Sequence, residues 1–285
     1  MGKIKKDETL SSTQPFEFSK EFKNKLNSLD LSETVMDIKK NGYAVVDAGE
    51  SQDFNKELRK VCIKLSKETE GSSRGYAASI LLGRHPIFEK VVLNPKLLAL
   101  AEVMCGKGAL LSQLIASIRP QGSREIGLHA DQNWFPAPFP VHNQLFTVCW
   151  VLDDFTKEGG STMVVPGSQK KRRHPLPDEI VEQKGAIPIE CSAGSLAMWD
   201  GSVWHSNYSR KAEGSRVVIH ITFCRLALRP VENYDHLDEE WLKNKPSELS
   251  TLLGRDDFLG HKDFKKGGAG GETEKLYKTF TWARS

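Results

Sequence analysis

The chain has 285 residues, of which 39% are hydrophobic and 27% are charged. This is the composition of a folded soluble protein, and it argues against a wholly disordered, collagen-like or coiled-coil chain. The net charge is only +3, far from the concentrated basic surface of a typical nucleic-acid-binding protein, so we expect no nucleic-acid partner. No apolar run approaches the roughly 20 residues that cross a bilayer, so we expect no membrane partner either.

Two further features concern the location of the protein. The first ten residues are rich in Lys, Asp and Glu and contain no apolar signal core. The five cysteines are scattered and form no Cys-x-x-Cys pair, so neither a disulfide framework nor a thiolate zinc site is indicated. These features predict a cytoplasmic protein.

The first part of the chain is predicted to be mainly helical. Residues 1–30 are polar and are interpreted as an N-terminal extension. Apolar residues then recur at helical spacing, and turn residues separate the helical segments. The predicted elements are a helix from Ser32 to a stop at Gly42, a strand over 43–47, a helix over about 52–68, a loop over 71–86 and a helix over 87–104 interrupted at Asn94-Pro95.

From Leu110 onward the hydrophobic period changes to that of short strands separated by turns. Helices followed by many antiparallel strands predict an α+β fold with a mainly β core, a jelly roll flanked by N-terminal helices. We interpret residues 31–230 as one domain and 231–285 as a polar C-terminal extension, which is a lid, a partner-binding arm or a disordered tail. The predicted strands are 111–119, 144–152, 161–165, 186–191, 195–200 and 216–226.

Among the eight histidines, His129 stands out because Asp131 follows two positions later in an extended segment. Alternate residues of a strand point to the same face, so the imidazole and the carboxylate converge. His205, just after the strand-like run 195–200, is placed to supply a third ligand. Two histidines and one carboxylate leave positions open on a metal, as non-haem Fe(II) centres require. Zinc is the chemical rival, and a surface His–Asp hydrogen bond is the non-metal alternative.

Arg216 lies eleven residues after His205, at the start of a strand-like run. Alternation places Arg216, His220 and Thr222 on one face of this strand. A guanidinium that faces inward is costly without an anion, and a dicarboxylate that chelates the metal at its near end would supply one. The alternative for Arg216 is an ion pair at a strand edge, and His220 is expected to be a core histidine.

Five blocks of the sequence together resemble the phytanoyl-CoA dioxygenase family of Fe(II)/2-oxoglutarate-dependent oxygenases. The resemblance covers roughly residues 30 to 230. It implies a double-stranded β-helix, which is a cupin-like fold, with 2-oxoglutarate and dioxygen as co-substrates. The blocks are Gly127-Leu-His-Ala-Asp131, Asn143 to Asp154, Gly159 to Ser168, Trp199 to His205, and Arg216.

The same resemblance implies roles for individual residues. His129, Asp131 and His205 are expected to bind Fe(II), and Arg216 is expected to hold the distal carboxylate of 2-oxoglutarate. Thr162 and Gln113 are expected to donate hydrogen bonds to this co-substrate. Because the halogenating relatives replace the carboxylate ligand with a small residue, the Asp at position 131 disfavours halogenation.

The resemblance implies an enzyme that oxidises a C–H bond of a small molecule or natural-product intermediate, most simply by hydroxylation, with release of succinate and CO2. Desaturation, ring formation, endoperoxidation and acyl-CoA hydroxylation remain open for the same centre. A zinc hydrolase and a non-catalytic cupin-like binding protein are alternatives of other classes. A monomer and a homodimer are equally compatible with the sequence.

Four residues are candidates for contact with the substrate. Asn133 and Trp134 follow the His-x-Asp pair directly, and Arg74 and Tyr76 lie in the loop between the predicted helices. Ordinary loop packing is the alternative for each. The basic run from Lys170 to His174 would suit phosphates of a CoA thioester, but a loop of this kind is more often simply solvated.

Overall fold

The computed structural model of the protein describes residues 15–256. In this part of the chain it contains eight α-helices, one short 3-10 helix at Ser168–Lys171 and ten β-strands. The helices are α1 (Lys20–Ser28), α2 (Ser32–Asn41), α3 (Gln52–Ser66), α4 (Ile87–Val92), α5 (Pro95–Cys105), α6 (Pro177–Glu182), α7 (Glu239–Leu242) and α8 (Ser247–Leu252). The strands are β1 (Tyr43–Asp47), β2 (Tyr76–Ala78), β3 (Leu110–Pro120), β4 (Ile126–His129), β5 (Leu145–Val151), β6 (Thr162–Val164), β7 (Ile187–Pro188), β8 (Ser195–Asp200), β9 (His205–Asn207) and β10 (Ser215–Cys224).

The strands form two antiparallel sheets. The larger sheet has the order β1-β8-β5-β10-β3-β2, and the smaller one has the order β4-β9-β6-β7. Strands that are distant in the chain are neighbours in both sheets, as in a jelly roll. The predicted fold class, an α+β double-stranded β-helix with helices before the β core, is confirmed.

Most of the helices cover the outer face of the larger sheet and bury the main core, whereas α6 lies against β4 of the smaller sheet. Helix α3 begins after Ser51, whose hydroxyl accepts a hydrogen bond from the Phe54 amide at 3.1 Å. Its predicted apolar stripe, which includes Leu58 and Cys62, is buried. Helix α2 ends at Gly42, which adopts φ +84° and closes the last turn by donating to the Ile38 carbonyl.

Strand β10 lies at the centre of the larger sheet, between β5 and β3. Its odd-numbered residues Val217, Ile219 and Ile221 are buried in the main core. Arg216, His220 and Thr222 line a cavity on the other side of the sheet. The predicted alternation is therefore confirmed, and it makes β10 a divider between the core and the cavity.

Several elements lie outside the predicted pattern. Helix α1 falls within residues 1–30 and buries Phe22 and Leu26 in the main core. Strand β2 falls within the predicted loop 71–86, and α7 and α8 fall within residues 231–285. Residues 1–14 and 257–285, which include the second half of the predicted C-terminal extension, lie outside the described residues. Among the described residues, no helix has the length and apolar character that a membrane span requires.

Candidate active site

Three potential metal ligands meet where two strands of the smaller sheet run side by side. His129 ends β4, His205 begins β9, and these two residues are directly opposite each other in the antiparallel register. Asp131 follows β4 by two residues, and its Oδ1 lies 3.7 Å from His129 Nε2 and 3.3 Å from His205 Nε2. The three ligand atoms lie within 4.8 Å of one another.

Hydrogen bonds to backbone carbonyls orient both imidazole rings. Nδ1 of His129 lies 2.8 Å from the Gly127 carbonyl, and Nδ1 of His205 lies 3.2 Å from the Val203 carbonyl. A carbonyl only accepts, so each Nδ1 carries the proton in this hydrogen-bond network. Each Nε2 then faces the cluster, where it can bind a metal ion once it carries no proton.

The two carboxylate oxygens of Asp131 have different neighbours. Oδ2 accepts hydrogen bonds from Thr147 Oγ1 at 2.8 Å and from Trp199 Nε1 at 2.9 Å. Oδ1 is the oxygen that faces the two histidines. Burial by itself would raise the pKa of Asp131, but the neighbouring His205 and His129 and the indole N–H bring it below its usual range.

This donor set fits a divalent iron ion. Two neutral imidazoles and one ionised carboxylate suit the 2-His-1-carboxylate centre, which leaves further positions on the metal for a co-substrate and dioxygen. Burial lowers the pKa of His129, which favours the neutral form that a ligand needs, whereas the Asp131 carboxylate outweighs burial and raises the pKa of His205, so a metal would displace a proton there. In the described part of the chain, this is the one group of three or more His, Cys, Asp or Glu residues with ligand spacing.

A cavity of about 410 Å³ opens beside the cluster and lies between the two sheets. His129, Asp131 and His205 all line it, so an ion bound by them would be accessible from the cavity. The rest of the lining combines apolar surface with many polar side chains, so it suits an occupant that has both a carbon skeleton and polar groups. Its hydroxyl and amide members include Gln113, Ser117, Thr147, Thr162, Asn207 and Thr222.

Arg216 extends from β10 into this cavity. The residue is 2% exposed, and its guanidinium lies 5.0 Å from the centre of the Phe155 ring. One terminal nitrogen donates to the Gly160 carbonyl, whereas Nε is buried without a hydrogen-bond partner in the described chain. No ion pair to Arg216 is found among the described residues, and burial together with Arg119 lowers its pKa to about 10. A buried cation with an unused donor is prepared for an anionic ligand.

The structure also brings Gln113 and Thr162 to the cavity. Gln113 on β3 is the cross-strand partner of Thr222, and Thr162 on β6 is paired with Asn207. Their hydrogen bonds to 2-oxoglutarate stay a prediction.

His220 lines the cavity as well, and its Nδ1 lies 3.4 Å from the Cys149 thiol. Burial and the charge of Arg216 lower the pKa of His220 to about 4, so its ring is neutral near pH 7.

The four candidate substrate residues are placed in two different ways. Arg74 and Tyr76 line the cavity at its outer side. The structure does not bring Asn133 or Trp134 to the cavity, because the chain turns directly after Asp131, with the Asn133 amide donating to the Asp131 carbonyl at 2.7 Å. The side chain of Trp134 is consequently 66% exposed.

The basic run from Lys170 to His174, which begins within the short 3-10 helix, is held by contacts within its own region. Lys171 and Arg173 both donate to Glu179, and both also lie over the ring of Trp204, at 4.2 and 5.0 Å from its centre. Their charges are therefore already neutralised in part. This favours the interpretation that the run does not bind phosphate.

Sequence reasoning missed three residues that shape this site. Thr147 and Trp199 hold Asp131, and Arg119 lies beside Arg216 on the neighbouring strand. The alternation of β3 would have indicated Arg119, since Gln113, Ser117 and Arg119 lie on one face of that strand and all line the cavity.

A double-stranded β-helix with a His-x-Asp pair and a distant His on adjoining strands defines the class of Fe(II)/2-oxoglutarate oxygenases. The chain belongs to the phytanoyl-CoA dioxygenase (PhyH) family, whose model matches residues 38–218. Iron and 2-oxoglutarate are thus the cofactors of the family to which this site corresponds.

Known proteins similar to this chain are consistent with that class. The chain is 31% identical to the dioxygenase af480 of Aspergillus fumigatus over 166 residues, which cover 57% of this chain and 50% of that protein. The match thus spans about half the length of this curated relative.

Two solved structures share the fold. HygX from Streptomyces hygroscopicus, with nickel and 2-oxoglutarate bound, has 16% identity and a TM-score of 0.59 and covers 72% of this chain and 92% of its own. EctD from S. alaskensis, with bound Fe, has 16% identity and a TM-score of 0.60 and covers 79% of this chain and 84% of its own.

Proposed function

We propose that the protein is an Fe(II)/2-oxoglutarate-dependent oxygenase that oxidises a C–H bond of a small molecule. One observation carries this proposal. The His129–Asp131–His205 cluster and the buried Arg216, which has no ion-pair partner among the described residues, line the same cavity. A metal site and an anion site on one small cavity suit a dicarboxylate that chelates the metal at one end. In the reaction, 2-oxoglutarate, dioxygen and a substrate R–H yield succinate, CO2 and R–OH.

Each side chain has a defined task in this reaction. Nε2 of His129, Nε2 of His205 and Oδ1 of Asp131 hold the metal, which when bound supplies the activation of dioxygen. Arg216 binds the distal carboxylate of 2-oxoglutarate, and its bidentate fork fixes the direction of the co-substrate. Thr162 and Gln113 complete that site with neutral hydrogen-bond donors.

The cavity also bears on the substrate. A volume of about 410 Å³ must accommodate both the co-substrate and the reacting part of the substrate, which favours a small metabolite or natural-product intermediate. Acyl-CoA hydroxylation is less favoured, because Lys171 and Arg173 are engaged with Glu179 and Trp204. Hydroxylation is the simplest outcome, and desaturation, ring formation and endoperoxidation are alternatives set by the substrate.

A cytoplasmic location is part of the same proposal. All five cysteines are free in the structure, and four of them, Cys62, Cys105, Cys149 and Cys224, are buried. Free buried thiols suit a reducing compartment. Measurement of the protein in separated cell fractions tests this location, and recovery in an exported fraction would contradict it.

The experiment that tests the function is an anaerobic titration of the metal-free protein with Fe(II) and then with 2-oxoglutarate. Its signal is the weak visible charge-transfer band of an iron-bound 2-oxo acid. We expect the band in the wild type, its loss in Asp131→Ala and a higher half-saturation concentration of 2-oxoglutarate in Arg216→Ala. Trp134→Ala is the matched control, because it alters a large side chain near the metal motif that does not line the cavity.

The opposite result is equally clear. Tight stoichiometric zinc binding without the Fe(II)/2-oxoglutarate band would reject the oxygenase and favour a hydrolase or a binding protein. An oxygen electrode provides a second readout, since only the oxygenase consumes dioxygen in proportion to the succinate formed.

A further inference from the structure

We propose that the substrate carries an anionic group, and that Arg119 and Arg74 bind this group in the same cavity. The chemistry that they recognise is a carboxylate, a sulfate or a phosphate. This inference rests on the proposed function, because it takes Arg216 as the residue that holds 2-oxoglutarate. It adds a substrate class that neither the cavity volume nor the family defines.

Arg119 is a buried arginine whose hydrogen-bonding capacity is only partly used. It lies on β3 directly opposite Arg216 on β10, and it is 4% exposed. One terminal nitrogen donates to the Arg124 carbonyl, but Nε is buried and has no hydrogen-bond partner in residues 15–256. Because an unused donor on a buried cation is costly, an anion at this position would offset that cost.

Within the described part of the chain, the cavity lining offers no second carboxylate that could neutralise Arg119. Asp131 is the one acidic residue in the lining that the described chain provides, and it belongs to the metal cluster. No ion pair of Arg119 is found among the described residues. Burial first, and then the neighbouring Arg74, lowers the pKa of Arg119 to about 10, so the group is still charged near pH 7.

Arg74 lies in a turn that is fixed against β3 at Arg119. Ser72 and Gly75 exchange two backbone hydrogen bonds of 2.8 and 2.9 Å across this turn. A Cβ on Gly75 would lie 2.2 Å from the Ile118 carbonyl oxygen and 3.1 Å from the Arg119 Cα, so the turn packs against the strand as closely as a glycine allows. The Arg124 amide also donates to the Ser73 carbonyl at 3.1 Å. The backbone at Arg74 is thus fixed in the cavity wall, although the side chain of Arg74 is exposed.

The charges in the cavity indicate that Arg119 and Arg74 are not needed to neutralise 2-oxoglutarate. The two positive charges of Fe(II) and the one of Arg216 are balanced by Asp131 and the two carboxylates of 2-oxoglutarate. Arg119 and Arg74 then remain as two positive charges without a counterion in the cavity lining. One guanidinium is buried and the other lies at the outer side, so together they suit an anionic group that enters from the solvent side.

Calorimetric titration with simple anions tests the proposal. The protein is loaded anaerobically with Fe(II) and saturating 2-oxoglutarate, and it is titrated with sulfate as a tetrahedral dianion and with acetate as a carboxylate, at constant ionic strength set with chloride. We expect at least one of the two anions to bind with a stoichiometry of one. We also expect Arg119→Gln to weaken this binding at least tenfold and Arg74→Gln to weaken it several-fold. Arg229→Gln, which alters an exposed arginine outside the cavity, should leave it unchanged.

The charge-transfer band, recorded on the same samples, distinguishes failure of this proposal from failure of the proposed function. Arg119→Gln should retain the band with an unchanged half-saturation concentration of 2-oxoglutarate. A rise like that in Arg216→Ala would assign Arg119 to the co-substrate and overturn the proposal. Absence of both sulfate and acetate binding in the wild type would also overturn it. Absence of the band in the wild type would instead overturn the proposed function.

Two variants keep the proposal testable even if Arg119→Gln fails to fold. Arg119→Lys retains the charge but loses the fork of donors, so it should bind the anion more weakly than the wild type and more tightly than the Gln variant. Arg74→Gln changes an exposed side chain, so its fold is expected to be intact. Unchanged anion binding in both Arg74→Gln and Arg119→Lys would contradict the assignment.

Discussion

The indole N–H of Trp199 donates to Oδ2 of Asp131 at 2.9 Å. This contact joins the end of β8 in the larger sheet to the metal cluster on the smaller sheet. It uses one carboxylate oxygen and leaves Oδ1 facing the histidines. Asp131 therefore cannot turn its second oxygen toward the metal without breaking a buried hydrogen bond.

Trp199→Phe is expected to weaken Fe(II) binding about 10- to 100-fold, because residues that orient metal ligands affect affinity by this amount. An aromatic ring is retained, so packing against His205 changes little, and the main loss is the N–H donor. Competition with a calibrated Fe(II) chelator under anaerobic conditions measures the change.

Trp204→Phe is the matched control for this prediction. Trp204 is also buried and also donates its indole N–H, but to the Arg173 carbonyl at 2.7 Å. Its replacement should reduce stability and leave Fe(II) affinity unchanged. Equal losses of affinity in both variants would show that general packing, rather than the bond to Asp131, prepares the site.

Arg216→Lys is expected to raise the dissociation constant of 2-oxoglutarate about 10- to 100-fold while Fe(II) binding is retained. The lysine keeps a positive charge but loses the bidentate fork, and hydrogen bonds to charged groups contribute about 1.5–3 kcal/mol. Arg210→Lys is the control, since Arg210 is also buried but donates to the carbonyls of Gly159 and Glu213 outside the cavity. Unchanged co-substrate affinity in Arg216→Lys would remove Arg216 from the site.

Asp200 shapes the turn that leads from β8 to His205. Its Oδ1 accepts a hydrogen bond from the Ser202 amide at 2.7 Å, and its carbonyl accepts one from Val203 at 2.9 Å. Burial raises the pKa of Asp200 from 3.8 to about 6, although the hydrogen bonds to Ser202 oppose the shift. The folded state therefore favours the protonated acid, and this contribution to stability is complete below pH 3.8 and is lost as the pH rises through about 6.

Asp200→Asn should consequently change the free energy of unfolding more favourably at pH 8 than at pH 4. The difference between the two pH values should be up to about 3 kcal/mol, at about 1.4 kcal/mol per pKa unit. The amide retains an acceptor for Ser202 but cannot ionise. Urea unfolding of both proteins at the two pH values measures the difference. Asp154→Asn, at an exposed carboxylate that accepts from the Ala193 amide, is the control. A gain in Asp200→Asn that is the same at both pH values would contradict the pKa assignment.

Gly75→Ala tests how tightly the turn of Arg74 is fixed to β3. The residue has φ +104°, and an added Cβ would overlap the Ile118 carbonyl oxygen at 2.2 Å. Gly122 has a comparable φ of +82°, but no atom of the described residues lies within 4 Å of an added Cβ. Gly122→Ala should therefore cost only the roughly 1–2 kcal/mol of a left-handed alanine, and Gly75→Ala about 1–3 kcal/mol more. Equal free energies of unfolding for the two variants would mean that the turn moves freely.

Much of the fold follows from local signals in the sequence. The strand predicted at 43–47 is β1, and the helix predicted from Ser32 to Gly42 is α2, because apolar spacing and a terminating glycine define these elements within the segment itself. Strand β2 was not predictable in this way. Its three residues pair with β3, and that pairing depends on a strand more than 30 residues away.

The candidate site shows the same division. The spacing of His129 and Asp131 and the position of Arg216 after His205 are local signals that indicate a shared site from the sequence alone. The bond from Trp199 to Asp131 and the pairing of Arg119 with Arg216 are set by strand order and register. A β-bulge between Thr222 and Phe223 shifts that register, and the sequence carries no separate signal for it.

A crystal structure of the protein with Ni(II) in place of Fe(II) and with 2-oxoglutarate tests the central claim most directly, because anomalous scattering identifies the metal position. We expect one metal bound by Nε2 of His129, Nε2 of His205 and Oδ1 of Asp131, with the distal carboxylate of 2-oxoglutarate on the guanidinium of Arg216. A metal bound elsewhere, or a co-substrate carboxylate held by residues other than Arg216, would contradict it.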